Sequence, residues 1–223
     1  MLETQGSHEA TVCGLHLFNH ETKIIVLRTT SFKDADMVHR LPPSERVPNI
    51  ILPSDLACKD TQITPNQTFG SPALTVRPRS TVLLMYQENG HVTRVHQDDA
   101  HPGSGFISVF GKVESSPADT LQGLFDTADD GLGVRLLAKR SFDDGICYED
   151  NETPIAQERK LAATRRPHLE NEEPNVWCGL EVTLPSDTDT SETYTLYWVW
   201  EFDGLDFVEK YTTCIDVTVL HDG

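Results

Sequence analysis

Tyr194-Thr195-Leu196-Tyr197-Trp198-Val199-Trp200-Glu201-Phe202 decides how this chain folds. Its residues alternate at a period of two, which a pleated strand imposes by sending successive side chains to opposite faces. Residues 177–184 and 211–219 carry the same alternation, written in β-branched and aromatic side chains. Three such segments in the last third of the chain predict half-buried antiparallel strands.

Working outward, Phe106-Ile107-Ser108-Val109-Phe110-Gly111, residues 133–138, residues 22–27 and the two runs flanking Arg77-Pro78-Arg79 read as further strands. Ser116-Pro117-Ala118-Asp119 reads as a helix start, with a serine cap and proline at the first helical position, so a helix is predicted over about residues 120–126. Thr153-Pro154 opens a second helix, expected to end near Arg166-Pro167. Ser54-Asp55-Leu56-Ala57-Cys58 predicts a single helical turn capped by Ser54. Residues 31–50, 60–72, 94–105 and 169–175 read as loops. The fold class is therefore all-β, an immunoglobulin-like antiparallel β-sandwich with long loops and two short helices. Residues 1–25 form a divergent N-terminal segment, and residues 26–223 form the sandwich.

Asp and Glu outnumber Lys and Arg by 35 to 18, leaving a net charge of −17. Such a surface repels phosphate backbones and anionic lipid, which argues against nucleic acid and membrane as partners. No run is apolar and long enough to span a bilayer. The first nine residues have no basic region followed by an apolar one, so the sequence as it stands carries no signal peptide. A polysaccharide or small-molecule ligand fits the charge, and a monomer is expected.

Five cysteines, Cys13, Cys58, Cys147, Cys178 and Cys214, contain no Cys-x-x-Cys pair, which argues against structural zinc. Disulfides among four of them imply an oxidising compartment, and four cysteines permit three pairings that sequence alone leaves open. Asn66-Gln67-Thr68 and Asn151-Glu152-Thr153 are glycosylation sequons.

Candidate chemistry gathers at Tyr86-Gln87-Glu88-Asn89-Gly90-His91-Val92-Thr93. Asn89 and Gly90 tolerate positive φ and break the strand that precedes them, so a turn presents the imidazole of His91. Near the C-terminus stands Glu209-Lys210-Tyr211-Thr212-Thr213-Cys214. With residues 52–59, 142–147 and 197–200, these segments resemble a fungal family of uncharacterised secreted domains related to the copper-dependent lytic polysaccharide monooxygenases. The resemblance runs from about residue 26 to the C-terminus.

It implies a copper ion held by nitrogens, tetragonal N/O ligation being suited to Cu(II). His91 would be the second histidine of the brace and Tyr211 the axial tyrosine. Glu209 falls where the active enzymes carry a glutamine beside the bound oxygen. The resemblance further implies Cys58–Cys214 and Cys147–Cys178 disulfides, with Cys13 left over, and an extracellular location. Active relatives begin the mature chain with a histidine, whereas this sequence begins with Met1. His8, His16 and His20 are the nearest counterparts, and His96 and His101 are further imidazoles near His91, read as solvated loop residues. The expected function is a sandwich with an incomplete brace that binds glycan or copper. The alternatives are an active copper polysaccharide monooxygenase and an intracellular accessory protein of fungal specialised metabolism. The pairs Asp98-Asp99, Asp129-Asp130 and Asp143-Asp144 read as solvated charge, and Trp177, Trp198 and Trp200 as core.

Overall fold

The computed structural model describes residues 16–19, 22–24, 38–64, 73–94, 103–128, 133–163, 175–188, 193–202 and 209–220. One sheet contains β1 (His16–Asn19), β2 (Thr22–Ile24), β5 (Thr81–Tyr86) and β8 (Cys178–Thr183), in the order β2-β1-β5-β8. The second contains β3 (His39–Leu41), β6 (Phe106–Val113), β7 (Val134–Ser141), β9 (Thr193–Phe202) and β10 (Glu209–Val219), in the order β3-β10-β9-β6-β7. Strand β4 (Leu74–Val76) shares the outer edge of β10 with β3 and pairs with it in parallel; the other pairings are antiparallel. The first sheet begins ahead of the boundary drawn at residue 26, because β1 pairs with β5 through His16 and Met85.

The sheets face each other across one core. Val82, Leu84 and Tyr86 of β5 and Leu180 and Val182 of β8 meet Ile107, Val109, Leu196, Trp198, Trp200, Ile215 and Val217 of the opposing sheet. Tyr86 and Trp198 touch across the gap, their ring centroids 5.6 Å apart. Each fully buried Leu or Val side chain here contributes about 2 kcal/mol of transfer free energy. Trp198 and Trp200 are core residues, fully buried as expected.

Strand β9 departs from the half-buried expectation. Residues 194 to 200 are buried without exception. The alternation is real, but both faces are dry. Leu196, Trp198 and Trp200 point into the inter-sheet core, while Tyr197 and Val199 point outward into a second cluster with Leu41, Ala57, Phe110, Leu121 and Leu124. Gly111 makes room for this strand, since a Cβ there would lie 2.2 Å from the Tyr194 hydroxyl oxygen.

Helix α1 (Leu121–Thr127) supplies part of that outer cover. It covers the expected span to within a residue, but its cap is Thr120 and not Ser116. The Thr120 hydroxyl caps it by accepting from the Gly123 N–H, while residues 116–119 form a turn in which Asp119 N–H bonds the Ser116 carbonyl. The Asp119 carboxylate also takes Lys112 Nζ and the Tyr197 hydroxyl, each at 2.5 Å, which pins the turn to the sheet. The helical turn expected over residues 54–58 does not form. Leu56 bridges Thr120, the Asp55 carbonyl accepts from Leu121 N–H, and Ala57 N–H donates to the Asp119 carbonyl. Backbone groups that a helix would have paired locally are used on a distant segment. Helix α2 (Pro154–Ala163) starts where its sequence signal placed it, with the Thr153 hydroxyl accepting from Ala156 N–H.

Two disulfides tie the body together. Cys58–Cys214 joins the segment after Leu56 to β10, and Cys147–Cys178 joins the loop after β7 to β8, with Cα separations of 5.6 and 4.6 Å. Both are the pairings that the resemblance implied. Cys13 lies outside the described residues.

Candidate functional site

Strand β5 ends at Tyr86, and the chain turns through Asn89 (φ 44°) and Gly90 (φ +81°), both in the left-handed region. His91 N–H closes the turn onto the Glu88 carbonyl at 2.7 Å. The Glu88 side chain, 2% exposed, holds the residues beyond the turn in place. Its carboxylate accepts from Val92 N–H at 2.8 Å, Thr93 N–H at 3.3 Å, the Thr93 hydroxyl and, across the fold, Glu149 N–H at 2.9 Å. A buried carboxylate with its lone pairs filled by fixed donors is a rigid anchor. It fastens the His91 turn to the loop that the Cys147–Cys178 disulfide also restrains.

The imidazole of His91 is partly exposed and packs edge-on against Trp200 and Phe202, at centroid distances of 4.9 and 5.0 Å. Trp200 in turn stacks on Tyr211 at 5.0 Å and on Phe142 at 4.3 Å. The Tyr211 hydroxyl donates to Glu209 Oε1 at 2.8 Å, and Arg40 Nε forms an ion pair with the same oxygen. Register explains the meeting: Tyr211 lies opposite Trp200 on one side and Arg40 on the other. The structure thus packs His91 and Tyr211 on Trp200 at one end of the sandwich, and Glu209 joins them through the Tyr211 hydroxyl.

Imidazole nitrogen and phenol oxygen suit Cu(II) in their donor chemistry. Among the described side chains they offer one nitrogen and one oxygen. His8, His20, His96 and His101 lie outside the described residues, and His16 is described only as part of β1.

Asn151 is tied into the same anchor. Its Nδ2 donates to the Thr93 hydroxyl at 2.9 Å, and its Oδ1 accepts from Thr153 N–H and hydroxyl at 3.1 and 2.7 Å. The amide nitrogen of this sequon is therefore engaged by the His91 loop. Asn66, Asp98, Asp99, Asp129 and Asp130 lie outside the described residues. Asp143 and Asp144 are structural ties rather than solvated charge. Asp143 takes Arg159 in a two-point pair at 2.8 and 2.7 Å, and Asp144 accepts from the N–H groups of Ile146, Cys147 and Gly179, each at 2.8 Å. Asp144, Cys147 and Cys178 lie close enough to suggest a metal group, but the two sulfurs are bonded to each other.

Sequence reading missed Glu88 and Arg40. Glu88 stood inside the stretch read for His91, and an acid beside an Asn-Gly turn is a natural acceptor for the N–H groups of the next residues. Arg40 had no local signal, because its partner is brought by β10.

The outer face beside β10 carries a different feature. A cleft of about 510 Å³ opens between residues 49–51 and α1, with Lys210 of β10 in its lining. One wall is clamped. Arg46 grips Asp55 through two bonds at 2.5 and 2.6 Å and donates to the Ile50 carbonyl at 2.9 Å. The Arg46 guanidinium holds the Asp55 carboxyl below its ordinary range, against the opposing effect of burial. Burial alone would raise Asp119, in the turn that leads into α1, but its bonds to Lys112 and Tyr197 outweigh that and lower it.

These features define a disulfide-tied, all-β two-sheet protein with an aromatic, histidine-bearing end. The chain belongs to the family described as Domain of unknown function (DUF7492), whose pattern matches residues 22–223. No curated protein matches the sequence.

Proposed function

We propose that the protein is a copper-binding β-sandwich akin to the lytic polysaccharide monooxygenases, in which His91 would hold the ion through a ring nitrogen and Tyr211 through its phenol oxygen. The observation that carries this reading is that His91 and Tyr211 both pack on Trp200, with Glu209 bonded to the Tyr211 hydroxyl. A bound copper ion would supply a one-electron redox centre. The remaining work belongs to the chain. Glu88 fixes the turn that aims His91. Glu209 accepts the hydrogen bond of the phenol and sets the orientation of Tyr211, and Arg40 balances the Glu209 charge. Trp200 and Phe202 back the imidazole with apolar surface and keep water from that side. On this reading the partner is an extracellular polysaccharide and the setting is the fungal secretome.

Addition of Cu(II) to the purified protein should give a type-2 signal by electron paramagnetic resonance. His91→Ala should lose it while keeping the wild-type circular dichroism spectrum. Absence of the signal from the wild-type protein sinks the reading.

A second reading rests on Glu209. Its carboxylate is locked between Arg40 and Tyr211, where the resembled enzymes carry a neutral glutamine. The protein would then bind glycan without oxidising it. Ascorbate-dependent release of oxidised oligosaccharides separates the two, since only the monooxygenase yields them.

A further inference from the structure

The cleft on the outer face takes no part in the copper reading, and its chemistry points to a different ligand. Its volume falls within the range of roughly 300–1,000 Å³ usual for small-molecule sites. Ile50, Ile51, Leu121 and Phe125 give it an apolar lining, and Asn49, Gln122 and Lys210 provide the polar groups. The walls are fixed before any ligand arrives. Arg46 and Asp55 clamp one, while the Thr120 cap and the 55–57 bridge hold the other. A preformed site loses little ordering entropy on binding.

The charge balance narrows the occupant. Lys210 Nζ lies 4.1 Å from the centroid of the Phe125 ring and bonds Glu201 at 2.7 Å. The lysine of the lining is therefore already neutralised, and the chain's net charge of −17 opposes an anionic guest. Among the described residues no acidic side chain lines the cleft to hold a cationic one. A sugar fits poorly as well. Each of its hydroxyls buried without a partner costs about 1–3 kcal/mol, and few polar side chains face the space. Lys210 keeps ammonium donors beyond its bond to Glu201, since an ammonium has three.

We propose that this cleft binds a neutral, largely apolar small molecule carrying a carbonyl-type oxygen, with that oxygen accepting a hydrogen bond from Lys210. The ligand seats its apolar body between Ile50 and Phe125. Lys210, largely buried and paired with Glu201, supplies the charged group of the lining, and Gln122 is its exposed residue on α1.

Nile red is a suitable probe, being neutral, apolar and carbonyl-bearing. Titration into the full-length protein should give a saturable, blue-shifted emission with one site per chain. Gln122→Trp, at an exposed helix position, should fill the opening and abolish the signal. Ile50→Glu should do the same by placing a charge in the apolar wall, and provides a second route should the tryptophan variant fail to fold. Lys210→Met should weaken binding about tenfold, the loss of one charge-assisted hydrogen bond. Saturating Cu(II) should leave the Nile red affinity unchanged, so failure here is distinguishable from failure of the copper reading. Unsaturable binding, or equal binding by wild type and both blocking variants, overturns the proposal. So does the absence of binding by the wild-type protein.

Discussion

Trp200 and Glu201 are neighbours in sequence and stand at two different kinds of surface. Trp200 faces inward to a crowded end, where His91, Tyr211, Phe142 and Phe202 fill the space around its ring. Glu201 faces outward beside a cleft whose walls stand apart. The inner end is built by filling, and the outer one by propping two walls open with polar clamps. The difference shows how one strand can build two unlike surfaces at once. A period of two assigns alternate residues to opposite faces, and whatever covers each face decides its use. Tight packing suits holding a ligand atom at one fixed position, and an open apolar cleft suits admitting a whole molecule.

The largest test of this contrast is covalent. Cys58–Cys214 braces the outer side and spans 156 residues, while Cys147–Cys178 braces the inner side and spans 31. In the chain-entropy limit their loss costs about 5 and about 4 kcal/mol respectively. Paired Cys→Ala variants compared by urea unfolding should keep that order. A reversed order would mean that the inner end depends more on its covalent tie than its packing suggests.

Next comes the polar anchor of the inner end. Glu88→Ala strips the acceptor from Val92, Thr93 and Glu149 N–H groups and should lower stability by about 3 kcal/mol, since each unpaired buried donor costs about 1–3. Amide exchange at residues 91–94 should accelerate while the cleft keeps its Nile red affinity. Equal loosening at both sites would erase the distinction between them.

A smaller effect is expected at Arg40. Arg40→Met leaves Glu209 buried without its cation and should cost about 2 kcal/mol, less than a fully buried pair because the Arg40 side chain is 33% exposed. Adding Glu209→Gln should restore most of the loss in a double-mutant cycle. No recovery would show that Tyr211, and not the charge, is what Glu209 serves.

The mildest effect belongs to the outer walls and to acid. Asp55 and Asp119 have lowered folded pKa values, Asp55 chiefly through Arg46, and Asp119 through Lys112 and Tyr197 against the upward push of burial. The unfolded chain then binds protons that the folded chain refuses. Their contribution is present above the ordinary carboxylate value of about 4 and is lost as pH falls through the lower folded values. Urea midpoints should decline through that acid window, and Asp55→Asn should flatten the decline. An unchanged slope would remove Asp55 from the account.

The strands of the last third were legible because alternation, aromatic content and turn residues agree there. The cover over β9 was not, because Leu41, Ala57 and Leu121 arrive from segments far away in sequence. Strand β3 hid in a stretch read as loop: three residues followed by Pro42 carry too little pattern, and their pairing is supplied by β10. The helical turn expected at residues 54–58 gives way because Ser54 resembles a cap while Asp55 is claimed by Arg46. His91 and Tyr211 were legible as a pair only through the family resemblance. No spacing in the sequence shows that both rest on Trp200.

The two sulfur bridges are nested. The ring closed by Cys147 and Cys178 lies inside the larger one closed by Cys58 and Cys214. A protease that cuts one peptide bond anywhere within the larger ring leaves the fragments joined as a single molecule. Such a nicked chain can shut again where an open one would drift apart, so tolerance of a single cut follows from topology as well as from folding free energy.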